Sequence, residues 1–272
     1  MSNYIEELPP GERPVAFMPD LCPVDSLIHR GVFSPDLQEF YYVLSDRSFS
    51  RFDIYVIEQT RAGWTHPRLA NFNSNYSDHG LSFSPDGKRM FFSSTRPVGI
   101  ADIPDTWHLW ESVLEEGQWS EPSFVDIPNM RDRLLSHPSC APNGSLYFHA
   151  SQLDYSGMDI YVSSFVEGQY KPAKKIEFLS NAYSGYCTPY IAHSGKYLFF
   201  AGIGESLDLL VSYRSSSGWS KPEKLPAVIN QNGQGNPYLS PDESLLFYAV
   251  EAPGATDQWQ INWVNTESWL HE

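Results

Sequence analysis

One short theme recurs five times in the chain: an apolar residue, a Ser-Pro-Asp-Gly turn or a close variant of it, then a second apolar run. "FSPDLQEFYY" begins at Phe33, "FSPDGKRMFF" at Phe83, "CAPNGSLYFH" at Cys140, "IAHSGKYLFF" at Ile191 and "LSPDESLLFY" at Leu239. The intervals are 50, 57, 51 and 48 residues. A repeat of this period constrains the fold more tightly than any local propensity, because each unit must be one supersecondary block that stacks on its neighbours. Two further signals keep step with the turn. A strand of the type "DIYV" follows at Phe52, Trp107, Met158, Leu207 and Trp259. A Trp-x-x-Pro segment then follows in "GWTHPRLA", "QWSEPSFV" and "GWSKPEKL", shortened to "QYKPAKKI" in the third unit.

Each unit thus supplies four strands: one on either side of the turn, the "DIYV" strand, and one after Trp-x-x-Pro. A four-stranded sheet cannot bury both of its faces alone, whereas five packed around an axis bury them all and leave few exposed edges. The expectation is an all-β, five-bladed propeller occupying residues 1–272 as one domain, with blades beginning near residues 29, 79, 136, 187 and 235. The fifth unit ends soon after "INWV" and lacks its fourth strand. The segment "ERPVAFM", residues 12–18, resembles that strand, with Pro14 at the place of the Trp-x-x-Pro proline, and is expected to close the last blade. Composition agrees: 15% aromatic residues, 21 prolines, 18 glycines and only 19% charged residues suit many short strands joined by turns. The longest interval carries an insertion, so blade 2 is expected to project a loop holding Arg96, Asp102 and Asp105.

A formal charge of −15 argues against nucleic acid and against anionic membrane surfaces, both of which require a basic stripe. No apolar stretch approaches the roughly 20 residues needed to cross a bilayer. The N-terminus has neither the basic nor the apolar region of a signal peptide, and three widely spaced cysteines do not form a disulfide framework. A cytoplasmic monomer is expected, although a mature exported form carrying a new Met has the same features.

The Ser-Pro-Asp-Gly hairpin followed by "DIYV" and "W-S-x-P" resembles the PD40, or WD40-like, repeat of TolB-type propellers over about residues 13–265. That resemblance implies the fold; for function it implies only a range, since such repeats serve as partner platforms, periplasmic binders and polysaccharide lyases. Most of the motif is architecture. Pro presets φ in the turn, Asp or Asn forms an Asx-turn, and Gly permits positive φ. Asp53, Asp159 and Asp208, replaced by His108 and Gln260 in the other units, read as groups bracing a turn. Trp64, Trp119 and Trp219 read as packing between outer strands.

The strand leading into each turn is the innermost of its blade, so its first residues converge at one mouth of the central channel. Counted from the turn, the ring comprises His29 and Arg30; Asp78 and His79; Ser136 and His137; Tyr186, Cys187 and Thr188; and Gln234, Gly235 and Asn236. Three of the eight histidines fall at equivalent positions in three consecutive blades. One reading is polar bracing of a solvated channel. The other is a ligand site of His29, Arg30, Asp78, His79, His137, Tyr186, Gln234 and Asn236, with Asp78 orienting His79.

Enzyme templates fit poorly. A glycoside hydrolase needs two carboxylates facing one bond, whereas the ring offers Asp78, with Asp25 and Asp132 off register. A divalent metal on His29, His79, His137 and Gln234 is similar to the site implied by oligogalacturonate lyases, but there is no His-x-His, and no cofactor is assigned. No G-x-S-x-G elbow is present, and Ser136 beside His137 on one strand is not expected to face it. Cys187 reads as an inert buried thiol. The sequence therefore favours a binding module for a protein or a polar, carbohydrate-like ligand at the channel mouth; the alternative is a carbohydrate-active lyase or hydrolase using the same funnel. No catalytic residue is assigned.

Overall fold

The computed structural model describes residues 9–178, 182–231, 233–254 and 258–270. Five antiparallel sheets surround one axis. Their inner strands are Ser26–Phe33, Asp78–Phe83, Leu134–Cys140, Gly185–Ile191 and Gly235–Leu239. Each inner strand touches the next, and the last returns to the first. The second strands are Glu39–Asp46, Arg89–Ser94, Leu146–Ser151, Tyr197–Ile203 and Leu245–Glu251. The "DIYV" strands lie outside them at Phe52–Thr60, His108–Glu115, Asp159–Ser163, Leu207–Ser215 and Trp259–Asn265. Inner and second strands are sandwiched between neighbouring blades and bury both faces, which explains their near-continuous apolar runs.

The fourth strand follows the Trp-x-x-Pro proline as expected, and in blades 1, 2 and 4 a two-residue strand at the tryptophan precedes it. In blade 1, Gly63–Trp64 and Arg68–Leu69 both pair with Phe52–Thr60, in separate registers around Pro67. Blades 2 and 4 repeat this with Gln118–Trp119 and Ser123–Phe124, and with Gly218–Trp219 and Glu223–Lys224. Proline has no N–H to donate to a ladder, so the motif itself separates the two. The tryptophans pack as expected: Trp64 lies 6.3 Å from Phe33, Trp119 5.8 Å from Phe83 and Trp219 6.0 Å from Tyr147, between ring centroids.

The N-terminal strand closes the ring. Val15–Ala16 pairs with the last strand, Val15 opposite Trp263 and Ala16 opposite Asn262. Phe17 donates its N–H to the Ile261 carbonyl at 2.7 Å. Its buried ring packs on Phe33, Phe40, Phe247 and Trp263, with centroids 4.9–6.0 Å away, and so joins blade 1 to blade 5.

At the turn end the blades solve one problem in one way. Ser34 donates to Asp36 at 2.7 Å, Ser84 to Asp86 at 2.5 Å and Ser240 to Asp242 at 2.7 Å. The fourth turn residue has φ between 61° and 80° in every blade, as Leu37, Gly87, Gly144, Gly195 or Glu243. Glycine takes this conformation freely, and Leu37 and Glu243 show the turn enforcing it on side chains that disfavour it.

The repeated aspartates do more than brace a turn. Asp159 and Asp208 reach outward to Lys175 at 2.5 Å and Lys224 at 2.7 Å, tying third strand to fourth, while Asp53 pairs with Arg51 at 2.6 Å. In the blade 2 insertion, Asp102 and Asp105 are exposed as expected, but Arg96 turns inward. Among the described residues no helix is long and apolar enough to cross a membrane.

Candidate ligand site at the channel mouth

Every inner strand carries a β-bulge where it enters the channel: between Ile28 and Gly31, His79 and Ser82, Ser136 and Ser139, Cys187 and Tyr190, and Gly235 and Tyr238. A bulge puts two residues opposite one and breaks the in–out alternation of side chains. Gly80, His137, Thr188 and Asn236 take φ of 65°, 53°, 49° and 55° there. A β-branched threonine in that region is strained, and such strain persists only where the surroundings enforce it.

The bulges lace the blades together. His137 N–H donates to Ser93 Oγ at 2.9 Å, Thr188 N–H to His149 Nδ1 at 3.1 Å and Asn236 N–H to Thr188 Oγ1 at 3.3 Å. Each bond runs from one blade to a side chain of the preceding blade. The bulge also overturns the expectation that Ser136 cannot face its neighbour. Ser136 Oγ lies 3.0 Å from His137 Nδ1, and 2.6 Å from His79 Nε2 on blade 2.

Arg30 crosses from blade 1 to blade 4. Its Nη2 donates to the carbonyls of Thr188 and Pro189, both at 3.0 Å. It is 1% exposed, and its Nε and Nη1 find no hydrogen-bond partner among the described residues. The expected ring residues do not all meet. His29 bonds Ser45 Oγ at 2.8 Å and stands 5.3 Å from Phe52 and 5.6 Å from Trp259. His79 lies 4.1 Å from Trp107 and 4.6 Å from His137. The three histidines are not all equivalent as expected: counted from the turn, His29 and His79 correspond, whereas His137 sits one residue nearer to it. Asn236 lies beside His137, but its Oδ1 makes no bond of normal geometry.

Three expected members do other work. Asp78 does not orient His79, because adjacent strand residues point to opposite sides. Its carboxylate is instead taken by Arg96 Nη2 at 2.8 Å, Ser74 N–H at 2.7 Å and Ser74 Oγ at 2.9 Å. Tyr186 packs on Phe178 and Phe200 in the apolar seam between blades 3 and 4. Gln234 is buried at the register of Asp78, its N–H donating to the Leu207 carbonyl at 3.2 Å.

Two solved structures share this architecture. TolB from Acinetobacter baumannii matches with 17% identity and a TM-score of 0.55, over 88% of this chain and 54% of its own. A putative TolB from Agrobacterium tumefaciens matches with 14% identity and a TM-score of 0.56, over 93% and 82%. The fold is that of a TolB-like β-propeller. The chain spans about half the length of the first of these two and most of the second. No family model matches the sequence, and no curated protein matches it.

Sequence reasoning missed one group in the TolB-like channel. His149, on the second strand of blade 3, is buried and stacks on His137 at 5.0 Å. Its signal was present: "YFHA" follows the blade 3 turn where blades 2, 4 and 5 read "FFSS", "FFAG" and "FYAV".

The ring is buried apart from the half-buried His79, where a solvated mouth was expected. Desolvation therefore sets its electrostatics. Burial pushes His29 down to about 4 and His149 to about 3, and holds His79 and His137 well below the usual imidazole value. Arg30 adds to this depression at His79, His137 and His149. All four imidazoles are neutral at pH 7, while Arg30, lowered by burial to about 10, stays charged. Cys187 is pushed up to about 12 and is inert as a thiol. Among the described residues no group of three or more His, Cys, Asp or Glu is arranged to hold a metal ion. With Asp78 committed to Arg96, the ring offers no carboxylate pair for glycoside hydrolysis.

Proposed function

We propose that the chain is a propeller binding module that receives a protein segment or another partly apolar ligand at the mouth of its channel. The observation carrying this reading is an aromatic rim. Phe49, Phe52, Trp107 and Trp259 stand around His29 and His79, with neighbouring ring centroids 4.1–6.3 Å apart. Phe49 is 50% exposed on a turn at φ 57°, held there by Asp46, which accepts from Ser48 Oγ and the Ser50 N–H, both at 2.9 Å. Phe49 thus stays half exposed in a backbone conformation that disfavours phenylalanine.

The same face carries further apolar surface. Inner strands begin at the mouth and pair there with the ends of the second strands, so the loops after those ends share that face. Ile100 in blade 2, and Leu153 and Tyr155 in blade 3, stand exposed in these loops, and Val24 and Tyr76 in the loops feeding inner strands. Apolar surface gathered on one face of a propeller supports docking rather than catalysis.

A peptide library displayed on phage and selected on the intact chain tests this. Ligands recovered on the wild type should lose about tenfold or more in affinity on Phe49→Ser or Trp107→Ala, as for other aromatic anchors at interfaces. Lys88→Ala, on the turn face, should change nothing. Ligands indifferent to both rim substitutions would place recognition elsewhere and sink the reading.

A further inference from the structure

The innermost rank of the channel has an unusual composition for so acidic a chain. Three residues before each apolar turn residue stand Arg30, Gly80, His137, Thr188 and Asn236. The chain has 33 acidic and 18 basic residues, yet this rank contains a guanidinium, an imidazole, a hydroxyl and an amide, and no carboxylate. Gly80 leaves its place to blade 3, since a Cβ there would lie 3.0 Å from the His137 Cα.

Arg30 makes no ion pair among the described residues, and its Nε and Nη1 are buried without partners. A buried guanidinium is kept only when its charge and donors are answered. Two backbone carbonyls answer Nη2 alone. His149 accepts through Nδ1, so as a neutral imidazole it carries its proton on Nε2 and is another donor in this cluster. Beyond the rank the channel is nearly closed. Val32, Ser82, Tyr190 and Tyr238 line a cavity of about 10 Å³, room for roughly one water. An occupant of the rank must therefore enter from the rimmed mouth.

We propose that this rank is a site for one carboxylate group, held by Arg30 with Asn236 and the neutral imidazoles as supporting donors. Guanidinium and carboxylate form the strongest of the ordinary charge-assisted hydrogen bonds. Asn236, whose Oδ1 is unpaired, presents its NH2 to an anion after an amide flip. The carboxylate is either that of a free small acid or one borne by a larger body that also covers the rim. The second case rests on the proposed function; the first does not.

Calorimetric titration of the full chain with acetate, N-acetylphenylalanine and N-acetylphenylalanine amide, in chloride-free buffer at pH 7, tests the site. The acid should bind with one-to-one stoichiometry and about tenfold or more tighter than its amide, and acetate should displace it. Arg30→Met should erase the preference for acid over amide, and Arg30→Lys should retain part of it, having charge without a planar fork. Acetate binding as tightly as the larger acid identifies a free small acid; the larger acid binding about tenfold tighter identifies a carboxylate on an apolar body. Equal binding of acid and amide to the wild type overturns the site even if Arg30→Met fails to fold. So does an acid preference that survives Arg30→Met, or no saturable binding of any probe. Phe49→Ser separates the two readings: if it weakens neither the larger acid nor any selected peptide, the rim reading falls and the carboxylate site stands.

Discussion

The two ends of the channel are built on opposite principles. At the turn end, serine–aspartate bonds recur in blades 1, 2 and 5, and a left-handed fourth residue recurs in all five. At the mouth end, equivalent bulges carry Arg30, Gly80, His137, Thr188 and Asn236, five different groups on one scaffold. Repetition marks what any blade requires; departure from it marks what this molecule requires. The buried charge of Arg30, answered by two backbone carbonyls alone, and the strained Thr188 both lie at the mouth end.

The largest effect should come from attacking what both ends depend on, the closed ring. Deleting residues 1–19 removes the Val15–Ala16 strand, bares the edge of Trp259–Asn265 and takes away Phe17. The loss of that ring alone should cost about 3–5 kcal/mol. Aggregation or a collapse in melting temperature is expected by size-exclusion chromatography and thermal melting; a wild-type melting curve would refute the closure.

Acid should break the mouth end before the turn end. The unfolded chain binds protons at its histidines below pH 6.5, whereas His29 and His149 stay neutral in the fold until about 4 and 3. Stability should thus fall as pH falls from 6.5, by about 1.4 kcal/mol per pH unit for each histidine, or roughly 2 kcal/mol each by pH 5. Ordinary carboxylates contribute little in that window. Urea midpoints measured between pH 7 and 5 should decline, and His29→Gln should flatten the decline; a flat wild-type profile would mean the imidazoles are solvated.

Replacing Arg30 by Met should sharpen the comparison from the other side. In the absence of ligand, exchanging this buried charge for an apolar chain should leave stability unchanged or raise it by about 1–3 kcal/mol. A large loss would show that Arg30 is bracing and belongs to the architecture. The smallest effect is expected at Phe49, where Phe49→Ser should move stability by no more than about 0.5 kcal/mol, or raise it slightly by easing the turn. Denaturant melts of the two variants beside the wild type test both.

The architecture was legible because it is repeated. The turns at Phe33, Phe83, Cys140, Ile191 and Leu239 each became a hairpin, and Pro14 located the closing strand without help from structure. The site was legible in position but not in contacts. Counting from the turns brought His29, Arg30, His79 and His137 to one mouth, yet strict alternation failed at Ser136 and His137, because nothing local announces a bulge. Asp78 was misread because its partner, Arg96, lies 18 residues later in the one insertion. His149 was overlooked because it lies after its turn, where the other blades carry no ring nitrogen.

The seam between the first and last strands also has a history in time. Val15 pairs with Trp263, a separation of 248 residues, so that pairing cannot form until Trp263 has been made. At roughly 5–20 residues per second of synthesis, the N-terminal strand waits on the order of 12–50 s for its partner edge. The four blades made first can pair within themselves during that interval, but the edge of blade 5 and the apolar tip of the N-terminus are complementary surfaces held apart. At high nascent-chain density, the N-terminal strand of one molecule can reach the last blade of another before its own arrives. Dimers exchanged at this seam should therefore be the characteristic misassembly of the protein, more abundant when translation is fast and crowded than when a dilute, finished chain is refolded.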